Sequence, residues 1–281
     1  MWRLIQILSA LLLFCTSGFA QAPVRLVTWN LKWFPGKTPT PSRADQIAHI
    51  DEVRNAIVAM RPDILVLQEV SGEAPVADAV RGIPGYQVSI VSRFKTSTGL
   101  IDGQQIAICS RLPAKHVFSE TWKKGWAGPP RGFAFAAIDF NGVLVHVYGL
   151  HLKSNIGDAQ SNTAKREDAI EQLLAHHTKI QELTGKADRT VICGDFNTDI
   201  LNSQVPSERT FGQLKDAGYW WTFDGMPLDK RITCPANGRY PAASFDHIFV
   251  SGFGKPMART MPEFQGSDHY PVSVDLVFNP L

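Results

Sequence analysis

Residues 133–150 read FAFAAIDFNGVLVHVYGL. Two apolar runs rich in aromatic and β-branched residues, Phe133 to Phe140 and Val143 to Leu150, flank Asn141-Gly142. Asn-Gly supplies the two positive φ angles of a two-residue turn, so the stretch predicts a β-hairpin. Working outward, runs of the same character predict strands at Val24 to Trp29, Ile64 to Leu67, Gln105 to Cys109, Val191 to Cys193 and Phe245 to Val250. Near the end of the chain, Val272, Val274 and Leu276 alternate with Ser273 and Asp275, the pattern of a half-buried strand.

Two helices are predicted. One runs from Arg43 to Met60, with Ile47, Ile50, Val53, Ile57 and Val58 on its apolar face and Pro62 beyond its end. The other runs from Asp158 or Asn162 to Leu183, with Ile170, Leu173, Leu174 and Ile180 inward and Gly185 as its stop. Strands outnumber helices, and a hairpin coexists with helical crossovers. The expected class is therefore α+β: a sandwich of packed sheets flanked by helices.

At 281 residues and 44% hydrophobic, the chain can build a large core without a disulfide framework. Its first residues place Arg3 ahead of an apolar run from Leu4 to Cys15. Both Gly18-Phe19-Ala20 and Ala20-Gln21-Ala22 then fit a signal-peptidase site. The expectation is a signal peptide over residues 1–22, a single domain over 23–281, and a secreted or periplasmic mature chain. That chain would carry 27 basic and 26 acidic residues, a balance that argues against coating nucleic acid by bulk charge. Cys109, Cys193 and Cys234 show no C-x-x-C spacing, so a thiolate zinc site is not expected. An exported chain permits one disulfide among them. Nothing in the sequence marks an obligate protein partner, and a monomer is expected.

The unusual polar residues fall at strand edges. Asn30 follows the first strand and Glu69 the second; His151 ends the hairpin's return strand. Asp195 and Asn197 follow the next, Asp246 opens SFDHIFV, and Asp268 and His269 precede the last. Singly, each reads as a turn, cap or solvated residue. Their recurrence at the ends of successive strands is what sets them apart. Carboxylates and carboxamides are hard oxygen ligands suited to Mg²⁺, Mn²⁺ or Ca²⁺. Two histidines with partner acids suit proton transfer near neutral pH. Together they describe metal-assisted attack of water on a phosphoester. There is no G-x-S-x-G, H-E-x-x-H or Walker loop to support other hydrolytic chemistries.

The segments TWNLKWF, LQEV, GLHLKS, GDFNTD, SFDHIFV and SDHYPV, in this order, resemble the endonuclease/exonuclease/phosphatase superfamily, and within it the DNase I-like branch. The resemblance spans Val24 to Leu276. It implies a four-layered α/β sandwich and divalent-metal-dependent phosphodiester hydrolysis. By the same resemblance Glu69 is the principal metal ligand, with Asn30 and Asp268 beside it. Asp195 and Asn197 orient the nucleophile or the phosphate. His269, oriented by Asp246, is the general base, and His151 is the general acid or phosphate stabiliser. Lys32 stands where the family places a phosphate-contacting base, and Arg131 is a further candidate. His247 reads as structural.

After Glu69 the chain reads VSGE, without the basic residue that DNase I-like enzymes direct at DNA, and Cys193 precedes GDFN where those enzymes place a cysteine after it. The favoured substrate is still nucleic acid, with a phospholipid or phosphorylated small molecule as the alternative. The stretch TWKKGWAGPPRG, with Lys123, Lys124 and Arg131, suits either base stacking or a membrane interface.

Overall fold

The computed structural model describes residues 22–184, 189–199 and 203–278. The expected signal peptide, Cys15 and the Gly185 helix stop therefore lie outside the described residues, apart from Ala22. Strand β1 (Val24–Phe34), helix α1 (Arg43–Met60) and strand β2 (Ile64–Val70) form a parallel crossover unit. Helix α2 (Glu73–Val80) leads to β3 (Gln87–Val91), β4 (Gln105–Ser110) and β5 (Ala114–Thr121). The hairpin is β6 (Gly132–Phe140) and β7 (Val143–His151), and α3 (Ala159–Thr184) crosses over to β8 (Arg189–Asp195), parallel to β7. The remaining elements are α4 (Thr210–Asp216), β9 (Trp220–Trp221), α5 (Leu228–Arg231), β10 (Asp246–Ser251), β11 (Arg259–Thr260) and β12 (Val272–Leu276).

The strands form two mixed six-stranded sheets, ordered β11-β12-β1-β2-β4-β3 and β5-β6-β7-β8-β10-β9. Period-2 alternation assigns their faces. From β1, β2 and β4, Leu26, Val66 and Ile108 enter the core shared with the second sheet. Their neighbours Val27, Leu67 and Ala107 face α1 and α2 on the other side. Ile170 and Leu173 of α3 cover the outer face of the second sheet. The order is helix, sheet, sheet, helix: the DNase I-like four-layered sandwich. Gly149 sits where the two sheets pack tightly, since a Cβ there would lie 2.7 Å from Val66 Cγ1 and 2.9 Å from Ile106 Cγ2.

Local signals act as the sequence suggested at several points. Asn141 and Gly142 have φ of 51° and 86°, completing the hairpin turn. Ser42 caps α1 by accepting from the Asp45 N–H, and Arg61 ends it in the left-handed region before Pro62. The buried face of α1 differs from the expected one: it is His49, Val53, Ala56, Ile57 and Met60, while Ile47 and Val58 are exposed. At about 100° per residue, positions 47 and 58 fall roughly 120° and 140° around the helix from Val53. Polar His49 takes a place on the buried face because both ring nitrogens are used. Nδ1 accepts from Gly36 N–H at 2.8 Å and Nε2 lies 2.6 Å from the Gly266 carbonyl. All three cysteines of the described residues are free, and Cys109 and Cys193 are buried.

Candidate active site

Strand pairing assembles the core of the site. The parallel register sets His151 of β7 opposite Asp195 of β8, and the antiparallel register sets Asp246 of β10 opposite the same Asp195. Directly paired residues share a sheet face, so the three side chains form one row. All three are buried. Gly194 allows β7 and β8 this approach, with φ +140° and no room for a Cβ, which would lie 2.0 Å from Leu150 O.

The first sheet supplies Asn30 and Glu69 through irregularities that sequence pattern does not reveal. The β1–β2 register shifts between Asn30 and Phe34, and the β2–β4 register shifts between Gln68 and Val70. These bulges release Lys32, Trp33 and Glu69 from the ladder with φ of 46°, 49° and 59°. Left-handed backbone at non-glycine residues costs of order 1–3 kcal/mol each and clusters at functional sites. Asn197, at φ 54°, and Arg131, at φ 66°, belong to the same group.

Asn30 joins the two sheets across the site. Its Nδ2 donates to Glu69 Oε1 at 3.1 Å and to Asp195 Oδ2 at 2.9 Å, and its Oδ1 accepts from Lys32 N–H at 3.0 Å. Asn30 thus bridges carboxylates with its amide donor and turns its oxygen to the backbone. Trp33 N–H donates to Glu69 Oε2 at 3.0 Å. His151 Nε2 lies 3.8 Å from Glu69 Oε1 and 3.7 Å from Asp195 Oδ2, too far for a hydrogen bond but close enough to feel both charges.

His269 Nδ1 lies 2.7 Å from Asp246 Oδ2. With the carboxylate accepting, Nδ1 carries the hydrogen and Nε2 is the free nitrogen. The loop that carries His269 is tied down: Trp29 Nε1–H donates to its carbonyl at 2.9 Å, and its N–H donates to Ser267 Oγ at 3.1 Å. Thr233 Oγ1 accepts from the Phe245 and Asp246 N–H groups at 2.9 and 3.0 Å, fixing the partner acid. Asp268 is paired with a base, its Oδ2 2.9 Å from Lys32 Nζ. Lys32 and Asp268 therefore form a half-exposed ion pair at the rim.

The two histidines are held in opposite states. Burial disfavours the His269 cation, yet the charge and hydrogen bond of Asp246, with Asp195 behind, hold it well above the ordinary histidine range. Burial, then the charges of Arg131 and His269, pull His151 well below that range. Burial and the neighbouring Asp246 raise the carboxyl of Asp195. Such divergence between like groups marks acid–base chemistry.

Arg131 braces the site from beneath. Its Nε donates to His151 O at 3.0 Å, Nη1 to Gln104 Oε1 at 3.2 Å and Nη2 to Leu152 O at 2.6 Å. Leu152 O also accepts from Asn197 Nδ2 at 3.2 Å, and among the described residues nothing donates to Asn197 Oδ1. A second arginine continues the brace: Arg166 Nη1 donates to Lys153 O and Asn155 Oδ1, both at 3.1 Å, and Asn155 Nδ2 donates to Asn197 O at 2.8 Å. Arg166, Asn155, Trp29 and Thr233 carried no sequence signal, because each acts through a partner far along the chain. His247 is structural, with Trp221 Nε1–H on Nδ1 and Nε2 against the carbonyls of Thr198 and Ser244.

Among the described residues, ligand atoms of Asp195, Asp246 and His269 lie within 4.8 Å of one another. Among the same described residues, Asp246 Oδ1 is buried and has no hydrogen-bond partner. An unpaired buried carboxylate oxygen, with Asp195 opposite and Glu69 across Asn30, is a donor set that fits a hard divalent cation.

The model of the Endonuclease/Exonuclease/phosphatase family matches residues 27–269. The chain belongs to that family. Members are phosphoric ester hydrolases and typically depend on a divalent metal. No curated protein matches the sequence. Solved structures of this family's fold superpose on it. TDP2 from C. elegans does so with a TM-score of 0.64 at 16% identity, over 91% of this chain and 75% of that one. For SmcL the values are 0.65 and 15%, over 90% and 99% of the two chains. For a mannosyl-6-phosphatase from Bacteroides thetaiotaomicron they are 0.62 and 20%, over 91% and 100%. At these identities the likeness is one of fold. The chemistry is read from the site.

Proposed function

We propose that the chain is an exported, divalent-metal-dependent phosphodiesterase that hydrolyses nucleic acid. The observation that carries the hydrolytic reading is the buried His269–Asp246 pair set against Asp195, Glu69 and the uncharged His151. With Nδ1–H committed to Asp246, the Nε2 of His269 accepts a proton from water as its oxygen bonds to phosphorus; the bond from phosphorus to the ester oxygen breaks, and that oxygen takes its proton from solvent. Asp195 and the free Oδ1 of Asn197 align that water. His151, uncharged, donates a hydrogen bond to a phosphoryl oxygen instead of a proton. Glu69 and the Asp195 and Asp246 carboxylates would hold a Mg²⁺, Mn²⁺ or Ca²⁺ ion, whose charge would let these acids, the phosphate and a neutral His269 coexist.

The nucleic-acid reading is supported by the rim. The β5–β6 pairing of Thr121 with Gly132, beside the Phe133–Leu150 pairing, places the loop between β5 and β6 at the same end as His151. That loop exposes Lys123, Lys124 and Trp126, and it is anchored on α3 by Ala127 N–H to Asp168 and Trp126 Nε1–H to Glu171. Exposed ammonium groups and an indole suit a polyanion with stacking bases.

The test is turnover by purified protein and its Glu69→Ala variant, with and without Mg²⁺, on supercoiled DNA, single-stranded DNA, RNA, sphingomyelin and a phosphomonoester. Cleavage of a nucleic acid that requires both Mg²⁺ and Glu69 supports the reading. Cleavage of lipid or monoester alone overturns the substrate and keeps the centre. Export is checked by N-terminal sequencing of the protein from the periplasm or medium, with cleavage after Ala20 or Ala22 expected.

A further inference from the structure

A cavity of about 400 Å³ opens at the ends of β1 and β2, between the loop after β1, α1, α2 and Gly103. Its walls include Trp33, Pro35, Pro39 and Pro75, with Thr38 and Ser71 among its polar groups. None of these residues has a role in the hydrolytic chemistry described above, beyond the hydrogen bond from Trp33's backbone N–H to Glu69.

Three observations link the cavity to the site. Trp33 is one residue from Lys32, and its backbone N–H holds Glu69 Oε2 at 3.0 Å, so the residue whose side chain lines the cavity is tied through its backbone to a proposed metal ligand. Ser71 lies two residues past Glu69, and its N–H donates to Phe34 O at 2.8 Å, fixing the two strand exits together. Trp33 is turned out of the strand by two successive left-handed residues, at φ 46° and 49°, yet its side chain is only half buried. The ring lies close against Gly103, where a Cβ would come within 3.2 Å of Trp33 Cζ3.

We propose that this cavity binds the nucleoside flanking the reacting phosphate, with the Trp33 indole as its stacking wall. The proposal rests on the nucleic-acid reading above and adds a specificity subsite to it. The volume is in the range of small-ligand sites. Flat proline and tryptophan walls interleaved with a hydroxyl, a carboxamide and a carboxylate (Ser71, Gln46 and Asp78) match a heteroaromatic ring with polar edges. Stacking on an aromatic ring corresponds to about 5- to 150-fold in affinity per base.

The experiment compares thymidylyl-thymidine with the two thymidine methyl phosphodiesters, esterified at the 3′ or the 5′ oxygen, in wild type, Trp33→Ala and Ala74→Trp. Ala74 is an exposed cavity residue outside the catalytic groups, and tryptophan there fills the space. Direct binding of thymidine 3′- and 5′-monophosphates without metal is measured in parallel. The proposal expects Ala74→Trp to lower kcat/KM on the dinucleotide and on one methyl ester by about 5- to 150-fold, leaving the other ester unchanged. Trp33→Ala should shift the ratio between the two methyl esters in the same sense. Equal effects on all three esters, or none, overturn the subsite while nucleotide cleavage upholds the function. Nucleotide binding that depends on Trp33, with no nucleotide ester cleaved, upholds the subsite and overturns the function. Absence of both binding and cleavage overturns the two together.

Discussion

Glu208→Gln tests the brace behind the site through a change of one charge with little change of shape. Arg166 and Glu208 form a two-pronged pair, Nε to Oε1 at 2.8 Å and Nη2 to Oε2 at 2.9 Å, with side chains 3% and 1% exposed. The carboxylate also accepts from Thr210 Oγ1 at 2.7 Å and Ser203 Oγ at 2.9 Å. A glutamine keeps one acceptor but turns an NH₂ toward donors and leaves the guanidinium buried without a counter-charge. Breaking a buried pair on one side costs about 3–5 kcal/mol. For a domain of this size that lowers Tm by on the order of 6–20 °C. The pair also feeds the site, since Arg166 holds Lys153 O and Asn155, and Asn155 holds Asn197 O. The variant should therefore lose kcat below its melting temperature, with KM affected less. Adding Arg166→Met removes the stranded charge and should recover part of the lost Tm but none of the lost kcat. Calorimetry and steady-state kinetics on the ester the enzyme cleaves measure both. A single variant melting within 2 °C of wild type, by the same per-kilocalorie conversion, would refute the reasoning.

Gly149→Ala should cost about 1–3 kcal/mol, because its Cβ would press Val66 and Ile106 of the facing sheet at 2.7 and 2.9 Å; chemical denaturation reads this directly, and an unchanged midpoint contradicts the sheet spacing. Burial, then neighbouring histidines, lower the fully buried His146 from 6.5 to about 4. The unfolded chain thus takes up a proton below pH 6.5 that the folded protein refuses until about 4, so stability is lost as pH falls through that window. The expected contribution is about 2 kcal/mol between pH 7 and pH 5. A His146→Gln variant with the same pH slope as wild type would contradict it.

Sequence alone reaches the sheets because burial writes itself as alternation. Ile64 to Leu67 and Gln105 to Cys109 are near-continuous apolar runs since both faces of their sheet are covered, and the Asn141-Gly142 turn needs only local chemistry. The short strands β9 and β11, two residues each, lack the length to show a period. The buried face of α1 was misjudged at Ile47 and Val58 because periodicity ranks residues by polarity, while His49 is buried by hydrogen bonds to Gly36 and Gly266. In the site, strand-end position picked out His151, Asp195, Asp246 and His269, but not how they meet. Their meeting depends on register and on the bulges at Lys32, Trp33 and Glu69, which are tertiary facts. Arg131 stood out as a cation near the site. Its direction, inward onto His151 O and Leu152 O, is set by three acceptors, two on those consecutive residues and the third on Gln104, far along the chain.

The central claim is that His269, oriented by Asp246, accepts the proton from the attacking water. It is tested most directly by kcat of His269→Ala and wild type on the cleaved ester at saturating Mg²⁺, with folding checked by melting temperature. The account predicts a loss of on the order of 10²–10⁴ in kcat with the fold retained. A folded variant turning over within a factor of about two of wild type would contradict it, since proton transfer through this group is assigned at least the lower bound of that range.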